Sequence, residues 1–396
     1  MNKLIYLILL ILCLMKTEVN IGQHKLSMKQ ALDSALANHP LIKASKINIQ
    51  QADLARKGSI SPQKTDITYQ YGQINFEGQD YWLQVDQHFG NPLFQLKENK
   101  GQEMIYEKSK LDLIYLKRKI VLEAAKSYQE WVYRFRIYEI LNQQMTIMNK
   151  FLKREELLFS TGQIDILEYT LAKSKSLKIR QQYLRSEIEM KNAFNNLISR
   201  CYLTTDRIVP ESKNLEPIIL EGKKTLSMFF KNYYDKDETI SLNKVKIQKS
   251  TLFPEISVGY FNQRLEGRQG FQGVSATLSL PLWAIPTVRE IKQAEMEAEV
   301  TSLKNRQELF DINLRFHNTI AEYEKYTKEL RLGNELRAVS DTLLEKSNLQ
   351  FNKGEIDYFR YLDGVNAALD LIMEHLRIVY YYNISVLDLK FYTDEI

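Results

Sequence analysis

Few side chains in this sequence have the type and spacing that chemistry requires. The five histidines are scattered, and no two of them form the i, i+4 pair that binds a metal ion from one helix face. They are His24, His39, His88, His317 and His375. The sequence also lacks a Cys-x-x-Cys pair, a glycine-rich phosphate loop and a nucleophile elbow. We therefore predict that the protein is not an enzyme and has no catalytic residue, metal site or cofactor.

Two seven-residue motifs are the strongest candidates for a functional site. Residues 159–165 read FSTGQID, and residues 351–357 read FNKGEID, 192 positions later. Gly162 and Gly354 can adopt the left-handed conformation that ends a helix. Each motif therefore predicts a reversal between two helices.

The aspartates that close the two motifs have two interpretations. Asp165 and Asp357 stand where a side chain caps the next helix by accepting a hydrogen bond from a free backbone N–H. Glu168 completes the capping-box pattern after Asp165, whereas Asp357 has no such partner. The alternative is a functional role for these carboxylates at the turn itself. We favour capping, although one carboxylate at an exposed turn can serve both roles.

Proline and glycine positions indicate the elements that carry these motifs. Only 8 prolines and 15 glycines occur in 396 residues, too few turn residues for an ordinary β-sandwich. Spans 93–209 and 287–396 contain no proline, and their apolar residues recur at the spacing of helices packed side by side. We predict four long helices, over 97–158, 165–200, 289–351 and 357–390. The apolar seam of the last comprises Leu362, Val365, Leu369, Ile372, Leu376, Val379 and Val386, with Asn383 as a polar interruption.

Four other segments alternate polar and apolar residues, which is typical of strands. They predict two hairpins, over 66–89 and 255–280, with strands long enough to cross a bilayer at a tilt. The alternative is two soluble hairpins packed on helices. Each hairpin precedes two of the long helices, and the 192-residue offset recurs along the chain. We predict a duplicated unit, with a first repeat over 24–217 and a second over 218–396 that begins with a short connecting segment.

The N-terminus predicts export from the cytoplasm. Residues 1–23 combine a basic start with an unbroken apolar run from Leu4 to Met15, as in a signal peptide. Cys13 follows Leu12 in that run, whereas lipoprotein processing usually requires a small residue before the cysteine, so lipidation is the minor alternative. The net charge of +5 arises from mixed charges without a long basic run. We therefore expect no nucleic-acid partner.

The number of strands raises a problem of assembly. Four strands cannot close a barrel, and an open sheet edge cannot face lipid. The simplest solution is that several chains each contribute four strands to one barrel, and three chains would give twelve. The long helices would then continue below it as a second hollow cylinder. The sequence pattern alone does not set the number of chains.

Several segments resemble the TolC-like family of outer-membrane efflux proteins. Residues 26–40 (LSMKQALDSALANHP), residues 278–283 (LSLPLW) and the twin FxxGxID motifs are similar to signatures of that family. The resemblance implies a mainly helical homotrimer whose twelve-stranded membrane β-barrel is continuous with an α-helical tunnel in the periplasm. It places the chain in the outer membrane of a Gram-negative cell envelope. Its partners would be a periplasmic adaptor and an inner-membrane pump of the resistance-nodulation-division class.

The same resemblance implies roles for individual residues. The periplasmic tip, where the adaptor docks and the channel closes, would comprise Gly162, Ile164, Asp165, Gly354, Ile356 and Asp357. Threefold symmetry would bring the carboxylates of the tip together and attract cations. Aromatic residues of the strands would contact the lipid interface, although ordinary strand propensity also explains them. They are Tyr69, Tyr71, Tyr81, Trp82, Tyr260 and Trp283.

One segment of the sequence indicates the class of the exported cargo. Residues 258–267 (VGYFNQRLEG) are similar to family members that accompany pumps for heavy-metal cations, which makes such cations the expected cargo. Exit ducts for drugs or for type I protein secretion would have the same fold. A periplasmic adaptor is a further alternative, but an adaptor carries a compact β-domain between its helices, whereas the hairpins here are far apart in sequence.

Overall fold

A computed structural model of the protein is mainly helical. It describes residues 24–59, 63–74, 77–203, 208–211, 215–222, 224–266 and 268–395. The strands are β1 (His24–Leu26), β2 (Thr65–Gly72), β3 (Asp80–Gly90), β4 (Ile208–Pro210), β5 (Glu255–Leu265) and β6 (Arg268–Ser279). The helices are α1 (Met28–Asn38), α2 (Pro40–Gly58), α3 (Pro92–Ser160), α4 (Ile166–Cys201), α5 (Met228–Ser250), α6 (Ile285–Asn352) and α7 (Tyr358–Tyr392). The expected signal peptide, with Cys13, lies outside the described residues.

The four long helices lie in the spans that contain almost no proline. Helix α3 has 69 residues and α6 has 68, while α4 has 36 and α7 has 35. Pro92 begins α3, where its missing N–H costs no helical hydrogen bond. We call α3 with α4 the first helical hairpin, and α6 with α7 the second. No helix in the described part of the chain is both long enough and apolar enough to cross a membrane.

The chain divides into two compact units that do not coincide with the two predicted repeats. Unit 1 comprises Met1–His39, Ile120–Leu220 and Glu322–Asp388, and unit 2 comprises Pro40–Lys119, Glu221–Ala321 and Leu389–Ile396. Each unit therefore draws residues from both halves of the sequence. The boundaries fall inside α3, α6 and α7 because these helices are long enough to contribute to both units.

The core of unit 1 is built around α7. Every apolar residue of its predicted seam, from Leu362 to Val386, is buried. Asn383 is fully buried in the same seam and fully paired. Its amide donates to Gln129 Oε1 at 2.9 Å and to the Glu216 carbonyl at 2.8 Å, and its oxygen accepts from the Ile218 backbone at 2.8 Å. These bonds remove the cost of burying the amide and fix the segment before α5 against the helices.

Unit 2 contains a four-stranded antiparallel sheet in the order β2-β3-β5-β6. Strands β2 and β6 are the edges of this sheet in the described chain. The sheet has one apolar and one polar face, because alternate side chains of a strand point to opposite sides. Cross-strand pairs on the apolar face are Ile67–Val85, Tyr69–Leu83, Tyr71–Tyr81, Val85–Tyr260, Tyr260–Val274 and Val258–Ala276. Pairs on the polar face are Asp66–Asp86, Thr68–Gln84, Gln70–Trp82, Asp86–Gly259 and Ser257–Thr277.

Buried polar bonds join this sheet to the helices of unit 2. The Asn91 amide follows β3 and donates to the Ser250 carbonyl at 2.6 Å and the Phe253 carbonyl at 3.0 Å. Its side-chain oxygen accepts from the Phe94 backbone at 3.0 Å in the first turn of α3. One residue thus holds the end of β3, the start of α3 and the turn before β5 together.

Candidate functional site

The two predicted helix reversals have the same backbone structure. In the first, the Gly162 N–H donates to the Phe159 carbonyl at 3.0 Å, and the Gln163 N–H donates to the Leu158 carbonyl at 2.9 Å. In the second, Gly354 donates to Phe351 at 3.0 Å and Glu355 to Gln350 at 2.9 Å. Residues 159–165 are called the first turn and residues 351–357 the second turn from here on.

Each turn requires its glycine because of backbone conformation. Gly162 and Gly354 both have a φ of 73°, in the left-handed region that L-residues with a side chain disfavour. A β-carbon at either position would have no atom within 4 Å. The requirement for glycine is therefore conformational and does not arise from crowding.

The two aspartates cap the helices that follow, as the motif predicts. Asp165 Oδ1 accepts from the Glu168 backbone at 2.8 Å, and Asp357 Oδ1 accepts from the Arg360 backbone at 2.7 Å. Both side chains are exposed, and each carboxylate stabilises a helix N-terminus. Capping leaves the second oxygen of each carboxylate available to a partner or a cation.

An aromatic stack closes each turn, and the sequence reasoning missed it. Phe159 stacks on Tyr169 with ring centroids 5.0 Å apart, and Phe351 stacks on Tyr361 at 4.6 Å. The two tyrosines stand 192 residues apart, like the motifs themselves, so the repeat offset contained this signal. Ile164 and Ile356 are half-buried. The two turns therefore share one local structure.

An apolar cluster packs the ends of the two helical hairpins against each other. Phe151 of α3 is 1% exposed and joins Met148, Ala172, Ile179 and Leu362 in that cluster. The Phe151 ring also lies 5.6 Å from Tyr358 and 6.3 Å from Phe359, measured between centroids. Beside it, a groove of about 490 Å³ runs between the first and second turns. Its lining includes Leu158, Ile164, Leu171 and Phe359, with Glu155, Glu168 and Asp357 as its acidic groups.

Charged side chains border this groove. Burial raises the pKa of the Glu155 carboxyl, Arg154 lowers it in part, and the charge of Glu168 raises it. The Arg154 guanidinium lies 5.0 Å from the Tyr358 ring centroid. Lys175 of α4 bridges to the second hairpin, with its ammonium 2.8 Å from Asp363 Oδ1 and 3.9 Å from the Phe359 ring centroid. The groove thus combines apolar walls with an excess of carboxylates.

The six aromatic residues expected at a lipid interface do not all lie on one face of the sheet. Tyr69, Tyr71, Tyr81 and Tyr260 share the apolar face of the sheet. Trp82 is directly adjacent to Tyr81 and therefore lies on the polar face, where its ring is 6.4 Å from Phe261. Trp283 follows β6 and is 87% exposed. Strand alternation therefore places Trp82 on the opposite face of the sheet from the four tyrosines.

The histidines and the remaining cysteine do not converge on one site. His88 lies 3.1 Å from Asp66 on the polar face of the sheet, whereas His317 is exposed on α6. Cys201 is buried at the end of α4, and burial raises the pKa of its thiol to about 11. Across the ranges that the structure describes, no group of three or more His, Cys, Asp or Glu side chains could hold a metal ion.

No protein-family model matches the sequence, and no curated protein matches it. Solved structures of outer-membrane channels do match the fold. CusC covers 92% of this chain and 91% of its own, with a TM-score of 0.72 and 13% identity. The Campylobacter jejuni CmeC outer-membrane channel covers 92% and 84%, with a TM-score of 0.73 and 12% identity. The open state of the Neisseria gonorrhoeae MtrE outer-membrane channel covers 92% and 88%, with a TM-score of 0.70 and 12% identity. The chain therefore has the fold of the TolC-like outer-membrane channels that its sequence resembles.

Proposed function

We propose that this chain is one subunit of a passive outer-membrane conduit in a tripartite efflux system. The observation that carries the proposal is the match to outer-membrane channels over 92% of the chain. Three copies would assemble into a twelve-stranded barrel above a helical tunnel in the periplasm. An inner-membrane pump of the resistance-nodulation-division class would supply the energy, and a periplasmic adaptor would connect the two.

The structure of the sheet in unit 2 is consistent with the proposed barrel. Its edge strands β2 and β6 leave backbone groups unpaired within one chain, and such groups are costly in lipid. Pairing of β2 in one copy with β6 in the next would satisfy both edges. The apolar face carries exposed Ile67, Tyr69 and Val274, which suits contact with lipid, while the polar face suits a water-filled interior.

The two turns and the groove between them support the adaptor site. Apolar walls with carboxylates at the border suit a helical segment that carries apolar and basic side chains. Exposed Gly162, Asp165, Gly354 and Asp357 would lie at the periplasmic tip, where the resting channel closes.

Heavy-metal cations are the proposed cargo. The carboxylates of Asp66 and Asp86 on the polar face would line the pore, and those of Asp165 and Asp357 would ring its tip. Negative charge along a conduit raises the local concentration of cations. The similarity of residues 258–267 to members that serve metal pumps supports the same class; Gly267 lies outside the described residues.

A tolerance assay with a deletion strain tests this function. Loss of the chain should lower tolerance to heavy-metal cations, and the full chain on a plasmid should restore it. A chain without residues 1–23 should not restore it, because the protein would remain in the cytoplasm. Unchanged metal tolerance with lost drug tolerance, or with lost export of a protein, would favour the drug or secretion conduit instead.

A further inference from the structure

The second helical hairpin contains a contact that the first hairpin lacks. Gly333 is the only glycine of the 68-residue helix α6. His375 and Ile378 of α7 pack onto it, and a β-carbon on Gly333 would lie 3.3 Å from His375 Nδ1. A glycine inside a helix is less favourable than alanine and leaves the backbone freer to bend. The position is therefore a weak point of α6 that is held by α7.

The His375 imidazole at this contact is half-buried, and its surroundings favour the neutral form. His375 Nδ1 is buried without a partner in good hydrogen-bond geometry, although the nearby Gly333 backbone favours the protonated form. Burial lowers the pKa of His375 most, and the nearby charge of Arg337 lowers it further. The Gly333 backbone and the Asp341 carboxylate oppose this shift only in part. Arg337 and Asp341 also pair with each other at 3.2 Å, which reduces what Asp341 offers to the imidazole.

The other charged groups near His375 on α7 are already paired with each other. On α7 itself, Arg377 donates to Glu374 at 2.8 Å, so neither group is free to compensate a charge on His375. A protonated imidazole would therefore carry a poorly compensated charge into the packing between α6 and α7. Such a charge costs free energy unless the contact opens to water.

The first hairpin provides an internal comparison. Leu141 stands where α6 has Gly333, and it is only 5% exposed. Tyr183 stands where α7 has His375, and its ring stacks 5.6 Å from Tyr138. The bond to Tyr183 and burial raise the pKa of Tyr138 to about 12. At this position, therefore, only the second hairpin has an imidazole packed against a helical glycine.

We propose that protonation of His375 loosens the second helical hairpin at Gly333, so that the hairpin is a pH-sensitive element of the protein. The contact stabilises the hairpin while the imidazole is neutral. Since the folded pKa is below the ordinary value of 6.5, this stabilisation is complete above that value and is lost as the pH falls below it. The inference concerns the conformation of one chain and does not depend on an export role.

Amide hydrogen exchange of the full chain in detergent tests the proposal. We expect residues 328–338 to lose protection several-fold between about pH 7.5 and about pH 5.5, after correction for the intrinsic exchange rate. His375→Gln and His375→Asn, which do not titrate, should abolish this step. His317→Gln is the matched control, since His317 lies exposed on α6, the helix whose exchange is measured, and it should leave the step unchanged.

The first hairpin serves as the reference in the same sample. Residues 136–146 should keep their protection across this pH range. Equal loss of protection in both hairpins would overturn the proposal, because it would indicate general acid unfolding. A pH step that persists in both His375 variants would overturn it as well, whatever the outcome of the export assays.

Discussion

Replacement of both turn glycines with valine should weaken adaptor docking strongly and lower export while the protein still assembles. Valine at a φ of 73° costs about 1–2 kcal/mol at each of Gly162 and Gly354. The turns would relieve this strain by changing the projection of Ile164 and Ile356. A loss of about 2 kcal/mol at the docking surface corresponds to roughly thirtyfold weaker binding.

Two control substitutions distinguish the effect of backbone conformation at these glycines from the effect of side-chain size. Asparagine tolerates the left-handed region, so Gly162→Asn with Gly354→Asn should keep most of the docking. Gly58→Val adds the same side chain at an uncrowded position without a positive φ and should change neither docking nor export. Site-specific crosslinking to the adaptor and cation tolerance measure the outcome. Wild-type crosslinking and tolerance in the double valine variant would refute the role of the turns.

An arginine on the apolar face of β6 should prevent assembly, whereas an arginine one residue further should not. Val274 is 82% exposed in the single chain and pairs with Tyr260 on the apolar face. If this face meets lipid, Val274→Arg costs about 2–4 kcal/mol near the centre of the bilayer. We expect the outer-membrane fraction to lose its heat-modifiable oligomer on a denaturing gel.

Ser275→Arg is the matched control for this substitution. Ser275 pairs with Gly259 on the polar face, and a β-carbon on Gly259 would overlap both Ser275 and the Asp86 carboxylate. An arginine at this position would therefore stand in the aqueous interior beside a carboxylate, and the oligomer should remain. Equal assembly of the two variants would show that the apolar face does not contact lipid.

The elements that local patterns determine were predicted closely. Alternation of polar and apolar residues placed the first hairpin over 66–89, and its strands span Thr65–Gly72 and Asp80–Gly90. The glycine and aspartate of each turn motif likewise have the predicted conformation and cap. These features depend on residues a few positions apart in the chain, so they can be predicted from a single sequence.

Features that depend on distant contacts were not predicted. Strand β1 pairs with β4 over only three residues each, and so short a ladder has no periodic signal. In α4, Lys173 and Arg180 stand where the seam of α7 has Val365 and Ile372, and the helix instead buries small residues such as Ala172 and Ser176. The groove between the two turns also depends on packing between residues that are far apart in the sequence.

The number of chains in the assembled protein is the most direct test of this account. Native mass spectrometry of material extracted from the outer membrane in detergent would measure it. We predict a complex of three identical chains, because three four-stranded sheets would supply the twelve strands of the proposed barrel and pair every edge. A folded monomer that remains stable in buffer without detergent, with the apolar face of its sheet covered by its own helices, would contradict it.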